Sequence, residues 1–370
     1  MSNHSYGDST RSLKAASAQA IPGAPVSPPA VLAATYHLSG DDADLDTYGR
    51  GSNPTWRQLE SALAELEGAT GALVFSSGMA AITAALNVST KPGTVLVLPS
   101  DGYYQVRRYA AEYLVPIGVT VIEADSSRLI DAAAGADVVL AETPTNPKLD
   151  VVDLRALATV CRGRGARLIV DNTTATPLGQ QPLALGADLV VASATKGLSG
   201  HSDLLAGYVA ANRPDLLAAV ERQRLLAGAI LGAFEAWLLL RSVASAGLRY
   251  ERQCHNAQAL STMLRNHPGV RAVRYPGLTE DPAHPVAAAQ MHRFGALVSV
   301  ELADAAAVHA LVRHSELLIA ATSFGSVHTS VDRRARWGDA VADGFARISC
   351  GIEDTDDLLA DIERALGAEQ

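Results

Sequence analysis

The sequence predicts an α/β protein with a large, mostly parallel sheet domain and a smaller C-terminal α/β domain. Three observations carry this. Six short apolar runs rich in β-branched residues recur between residues 72 and 192, bounded by Gly, Asp and Pro and separated in several places by helix-like segments. Such runs mark strands buried on both faces, and their alternation with helices implies right-handed crossovers. Residues 213–266 then read as helical, and a shorter segment with its own strand and helix patterns follows.

Residues 1–45 are rich in Ser, Ala, Gly and Pro and lack periodicity, so they read as a disordered leader or as an extended arm packed on a neighbouring subunit. Trp56 to Glu67 is an amphipathic helix. The predicted strands are Ala72–Phe75, Val95–Leu98, Val119–Ile122, Val138–Ala141, Leu168–Val170 and Leu189–Ala192, with a helix over Met79–Leu86 after the first. An apolar face over Ala227–Leu240 precedes a long connecting helix that runs to Arg265. Val270–Tyr275, Ala296–Leu302 and Ala346–Ser349 read as strands, and Ala303–His314 and Asp354–Leu366 as helices. The chain thus divides into an arm (1–45), a large domain (46–245) and a C-terminal domain (246–370).

The 370 residues are 48% hydrophobic and 19% charged, as expected of a globular enzyme with a sizeable core. A net charge of −9 and an isoelectric point near 5.6 argue against nucleic acid or an anionic membrane as partner. Cys161, Cys254 and Cys350 have no metal-ligand spacing and read as reduced thiols, and no apolar stretch is long enough to span a bilayer. The expected compartment is the cytoplasm.

In such sheets, ligands bind at the carboxyl ends of strands. The run Ser193-Ala194-Thr195-Lys196-Gly197 follows one strand, and Lys196 is one of only four lysines. Another strand, Leu168–Val170, ends in Asp171. Each alone reads better as a surface lysine or an Asx turn. Together they are the two groups that pyridoxal 5′-phosphate (PLP) requires, an amine for a Schiff base and a carboxylate for the pyridinium nitrogen. Gly78 and Met79, after Ser76-Ser77, open a helix whose first amides suit an anion, and Ser193 and Thr195 offer hydroxyls for the same phosphate. Tyr48 and Arg50 are further phosphate donors, on a loop before the first strand. Tyr103 and its neighbour Tyr104 both suit stacking on a cofactor ring, and periodicity does not choose between them. Asn146, in Glu142-Thr143-Pro144-Thr145-Asn146-Pro147, suits a cofactor oxygen. Arg347, in a predicted strand, suits a substrate carboxylate.

These motifs, in this order, resemble the cystathionine γ-synthase/γ-lyase family, the Cys/Met-metabolism group of fold-type I PLP enzymes. The resemblance covers about residues 20–366. It rests on Tyr48-Gly-Arg50 with Asn53-Pro54-Thr55, on Ser76 to Ala80, on Glu142 to Pro147, on Val170 to Pro177, on Ser193 to Asp203 and on Arg347 to Asp354. Tyr275 to Leu278, Arg249, His255 and Asn256 also fit. The resemblance implies a fold-type I transferase-like architecture and a PLP cofactor. It makes Lys196 the Schiff-base and proton-shuttling residue and Asp171 the partner of the pyridine nitrogen. Tyr103 would be the stacking residue, and Gly78, Met79, Ser193 and Thr195 the phosphate site. Tyr48 and Arg50 would come from a neighbouring subunit, so it also implies a homo-oligomer, a tetramer of active-site-sharing dimers. Asn146, Ser323 and Arg347 would bind substrate, an amino acid.

Two stretches depart from the family pattern. Tyr104-Gln105-Val106 follows Tyr103 where Gly-Gly-Thr is frequent. Ser323-Phe324-Gly325-Ser326-Val327-His328 puts a histidine where many cystathionine-handling members have glutamate. Phe324 and Arg336-Trp337-Gly338-Asp339 are similar to a bacterial cystathionine γ-lyase subgroup. The expected reaction is cleavage of the γ-carbon–sulfur bond of L-cystathionine. The alternatives are γ-replacement on an O-acylhomoserine, methionine γ-lyase or cystathionine β-lyase activity, and a PLP-binding protein without turnover.

Overall fold

The computed structural model describes residues 6–18, 20–38 and 45–368. Residues 1–5, 19 and 39–44 of the expected arm lie outside the described residues. Seven strands form the large sheet: β1 Gly71–Phe75, β2 Val95–Pro99, β3 Thr120–Ala124, β4 Val138–Glu142, β5 Arg167–Asp171, β6 Leu189–Ala192 and β7 Gly207–Ala211. Their spatial order is β1-β7-β6-β5-β4-β2-β3. All pairs are parallel except those of β7, which runs antiparallel to both neighbours. Adjacent residues on one strand enter different cores. Leu98, Leu140 and Ile169 pack on one face, and Val97, Val139 and Val170 on the other. A sheet covered on both sides explains the unbroken apolar runs of the inner strands, whereas β3, at the sheet edge, is largely exposed and corrects its reading as a strand buried on both faces.

Strand β7 is absent from the sequence reading. Gly-Tyr-Val-Ala-Ala has a single β-branched residue, so it lacks the signature of the other six. Residues 213–266 form three helices, Pro214–Ala227, Ala233–Val243 and Ala246–Arg265. The apolar stretch Ala227–Leu240 is therefore not one element, because Gly228 caps the first helix at φ +68° and the chain leaves helix until Ala233. Within the expected arm, α1 (Asp8–Ala15) is a helix held on its own chain. Asp8 accepts from Arg293 Nε at 3.0 Å, Arg11 donates to the Leu66 carbonyl at 3.0 Å, and a Cβ on Gly247 would lie 2.6 Å from Ser9. A polar octapeptide carries too little periodicity to announce this packing.

Helix α2 (Pro54–Glu67) is capped by Asn53, whose Oδ1 accepts the Thr55 amide at 2.8 Å, and Pro54 occupies the first turn. Helix α3 (Gly78–Ser89) is capped by Ser77, whose Oγ accepts the Ala80 amide at 3.1 Å. The C-terminal sheet contains β8 Ala272–Arg274, β9 Leu297–Glu301, β10 Ile319–Ala320, β11 Ser330–Arg333 and β12 Phe345–Ser349, in the order β10-β11-β12-β9-β8. β10 and β11 are additions to the sequence reading. The long helix Ala246–Arg265 joins the two sheets. Asn256 donates to the carbonyls of Gly351 and Glu353, and Arg249 donates to those of Gly197 and Leu198. Among the described residues no helix is long and apolar enough to cross a membrane.

Candidate active site

The carboxyl ends of β4, β5 and β6 open into a cavity of about 410 Å³, closed from the other side by residues 322–324, Arg334, Trp337 and Arg347 of the C-terminal sheet region. Register places Glu142 beside Asp171 at the ends of β4 and β5. Asp171 is 5% exposed. Its Oδ1 accepts the Thr173 amide at 3.0 Å and the Thr173 hydroxyl at 2.5 Å. Burial pushes its carboxyl upward, against these bonds and the charge of Lys196. The Thr173 hydroxyl also accepts the Ser193 amide at 2.8 Å, which ties Asp171 to the segment that carries the lysine.

Lys196 projects into this cavity and donates to Ser323 Oγ at 2.5 Å, across 127 residues of sequence. Its Nζ lies 5.2 Å from the centre of the Phe324 ring. Burial, and then the cationic Arg347, bring its pKa down to about 8, against a pull from Asp171. The loop after Ser323 is fixed against the lysine segment. Gly325 has φ +84°, and a Cβ there would sit 2.5 Å from the Gly197 nitrogen.

Four of the residues expected at a phosphate, Gly78, Met79, Ser193 and Thr195, lie together on the cavity wall with Ser77. A Cβ on Gly78 would lie 2.6 Å from that of Ser193, so only glycine permits this close approach of α3 to the lysine segment. The Thr195 hydroxyl donates to the Ala206 carbonyl at 3.1 Å and accepts its amide at 2.9 Å, so its proton is engaged within the chain. Tyr103 and Tyr104 both line the wall, with rings edge-on at 5.4 Å. Only the Tyr103 amide is anchored, donating to Glu142 Oε2 at 2.6 Å. Glu142 Oε1 accepts the Asn146 amide at 3.1 Å, and burial followed by the neighbouring Asp171 pushes Glu142 up to about 8. Sequence reasoning quoted Glu142 in a motif but gave it no task. Its position at a strand end, like that of Asp171, is the signal that could have found it.

Arg347 is 2% exposed. It donates to Asn146 Oδ1 at 2.7 Å and to the Ser323 carbonyl at 2.5 Å. Its Nε is buried without an acceptor. Burial lowers its pKa to about 10, with Arg334 adding to the effect. Arg334 and Trp337 of this wall meet the buried Asp332, a cluster of which the sequence analysis named only Trp337. Tyr48 and Arg50 are not brought to the cavity by their own chain. Both are exposed, with the Arg50 guanidinium 5.6 Å from the Tyr48 ring. His328 is exposed and does not line the cavity.

The residues fit PLP. One lysine and the buried carboxyls of Asp171 and Glu142 face a single cavity, beside a helix N-terminus whose first amides lack intrahelical acceptors and where a glycine gives close access.

Comparison with known proteins agrees. The family described as Cys/Met metabolism PLP-dependent enzyme matches residues 9–367. A Streptomyces coelicolor protein with the provisional name cystathionine γ-lyase is 47% identical over 367 residues, covering 97% of this chain and 93% of that protein. The structure of a methionine γ-lyase from Micromonospora echinospora superposes with a TM-score of 0.91 at 39% identity, covering 98% of this chain and 99% of the other. A cystathionine γ-synthase from Xanthomonas oryzae in complex with cystathionine gives 0.92 at 35% identity, covering 98% of both.

Proposed function

The chain belongs to the Cys/Met-metabolism family of PLP-dependent enzymes, and from that premise we propose that it cleaves the γ-carbon–sulfur bond of L-cystathionine. With one water consumed, the products are cysteine, 2-oxobutanoate and ammonia. The observation that carries this reading is the pairing of Lys196 with Arg347 in one cavity, bridged by Ser323 and joined to a wall of apolar rings. The 47% identity to the Streptomyces protein favours γ-cleavage within the family.

When bound, PLP supplies an electron sink for the pair left at the substrate α-carbon. Arg347 binds the α-carboxylate, using the donor that has no partner within the chain. Lys196 Nζ, lowered to about 8, takes and returns protons at the α- and β-carbons, and Ser323 Oγ holds it in place. Asp171 holds a proton on the ring nitrogen, and the face of Tyr103 is offered to the ring. Asn146, with Oδ1 committed to Arg347, has its amide nitrogen left to donate to a ligand oxygen. Gly78, Met79 and Ser193 would hold the phosphate, with Thr195, whose hydroxyl is bound to Ala206, lining the same site and Tyr48 and Arg50 supplied by a neighbouring copy.

The test is an assay of the purified enzyme on L-cystathionine, on O-acylhomoserine with cysteine, and on methionine. We expect the highest kcat/KM for 2-oxobutanoate release from cystathionine. Faster formation of cystathionine from O-acylhomoserine and cysteine would replace this reading with γ-replacement.

A further inference from the structure

Two guanidiniums share one buried carboxylate on the cavity wall. Asp332 on β11 lies directly across from Arg347 on β12 and is 4% exposed. Its Oδ2 accepts from Arg334 Nη1 at 2.7 Å, and its Oδ1 accepts from Trp337 Nε1 at 2.9 Å. Arg334 is fixed from its other edge by Asp339, at 2.8 Å from Nε and 2.7 Å from Nη2. Arg347 Nη2 stands 3.7 Å from Asp332 Oδ2, beyond hydrogen-bond reach. Its short bonds go to two neutral oxygens, and its Nε has no acceptor.

A buried arginine is usually compensated by a hydrogen-bonded carboxylate, and here the carboxylate stands at ion-pair distance without a hydrogen bond. Nothing in the backbone forbids the compensation here, because paired strands bring side chains of opposed residues to within about 5.5 Å at Cβ. Asp332 is instead hydrogen-bonded to two other donors. Each of its oxygens is held by a side chain from the turn 334–337, which follows β11 directly.

We propose that Arg334 and Trp337 are positioning residues for Arg347: by holding both oxygens of Asp332 they prevent that carboxylate from closing on Arg347 and leave the guanidinium free for the α-carboxylate of an amino-acid substrate. The inference rests on the reading of Arg347 as the carboxylate-binding group. Loss of either donor releases one oxygen of Asp332, which then pairs with Arg347 and competes with substrate. Removing the charge of Asp332 in the same molecule removes the competitor, so the second substitution restores what the first destroys.

The test uses holoenzyme and two probes, L-2-aminobutyrate, which has no γ-leaving group, and n-propylamine, the same chain without its carboxylate. Dissociation constants are read from the change in cofactor absorbance. Trp337→Phe and Arg334→Gln should each weaken aminobutyrate about tenfold and leave propylamine within about twofold. Adding Asp332→Asn to either should bring aminobutyrate back to within about threefold of wild type, the non-additivity expected of a coupled pair. Equal weakening of both probes, or no recovery in the double variants, overturns the proposal. Should Arg334→Gln fail to fold, the Trp337→Phe pair carries the test, since it removes one N–H from an indole that is 47% exposed. Arg347→Gln separates the two readings. If it leaves the preference for aminobutyrate intact, Arg347 is not the carboxylate group and this inference falls with that reading. If it abolishes the preference while Arg334→Gln and Trp337→Phe do not weaken aminobutyrate, only the positioning role falls.

Discussion

Lys196 sits between charges of opposite sign. Burial and the Arg347 cation lower its pKa to about 8, while Asp171 pulls the other way. The neutral amine is therefore abundant at a pH where an exposed lysine is almost wholly protonated, which suits both attack on a carbonyl and proton transfer. The sign of each contribution is testable. In cofactor-free enzyme, the rate at which acetic anhydride modifies Lys196 should rise with pH through a midpoint of about 8, read by mass spectrometry of the Lys196 peptide. Arg347→Gln removes a cation that disfavours the ammonium, so the midpoint should move to higher pH. A midpoint that stays or falls would show that Arg347 does not act on the lysine. Asp171 and Glu142 form the acidic counterpart, two buried carboxyls in register, each pushed upward with burial as the leading cause.

At the scale of elements, the site is a set of strand ends and one helix start held at contact distance. β4, β5 and β6 deliver Glu142, Asp171 and the Lys196 segment side by side because parallel pairing aligns their carboxyl ends. α3 approaches them so closely that Gly78 has no space for a methyl group against Ser193. Gly78→Ala must push the helix start away from the lysine segment, at a cost typical of overpacking, about 1–3 kcal/mol. Because the displaced amides are those offered to phosphate, PLP affinity should fall about tenfold or more. Titration of cofactor-free variant with PLP checks this. Wild-type affinity in a folded Gly78→Ala protein would remove α3 from the phosphate site.

At the scale of the whole molecule, the cavity of one chain lacks two of the residues the motifs assign to it. Tyr48 and Arg50 are exposed on their own chain, on a segment that pairs with the proline-rich stretch through the bridge from Thr35 to Tyr48. If a second copy supplies them, closed two-fold symmetry completes both sites of a dimer at once. Two inactive proteins, Arg50→Ala and Lys196→Ala, should then regain roughly a quarter of wild-type activity when mixed under conditions of subunit exchange, since about half the dimers are mixed and each has one intact site. The measurement requires Arg50→Ala alone to be inactive at limiting PLP. No recovery after proven exchange would place Arg50 outside a shared site.

Much of this protein was legible in its sequence because the informative signals are local. Buried parallel strands appear as apolar runs, a capped helix start appears as Ser-Ser-Gly, and Asp171 and Lys196 are each within a few residues of the strand that positions them. β7 escaped because three of its five residues are Gly or Ala and only Val209 is β-branched, and α1 escaped because tertiary packing, not periodicity, holds it. What only the tertiary structure decided are the contacts between the two sheets, Lys196 with Ser323 over 127 residues and Arg347 with Asn146 over 201, and, within the C-terminal sheet, the sharing of Asp332 among Arg334, Trp337 and a more distant Arg347. Sequence spacing specifies which face of a strand a side chain occupies. Which donor a buried carboxylate accepts from depends on distances of a few tenths of an ångström between elements far apart in the chain, and those exist only once the sheets are packed.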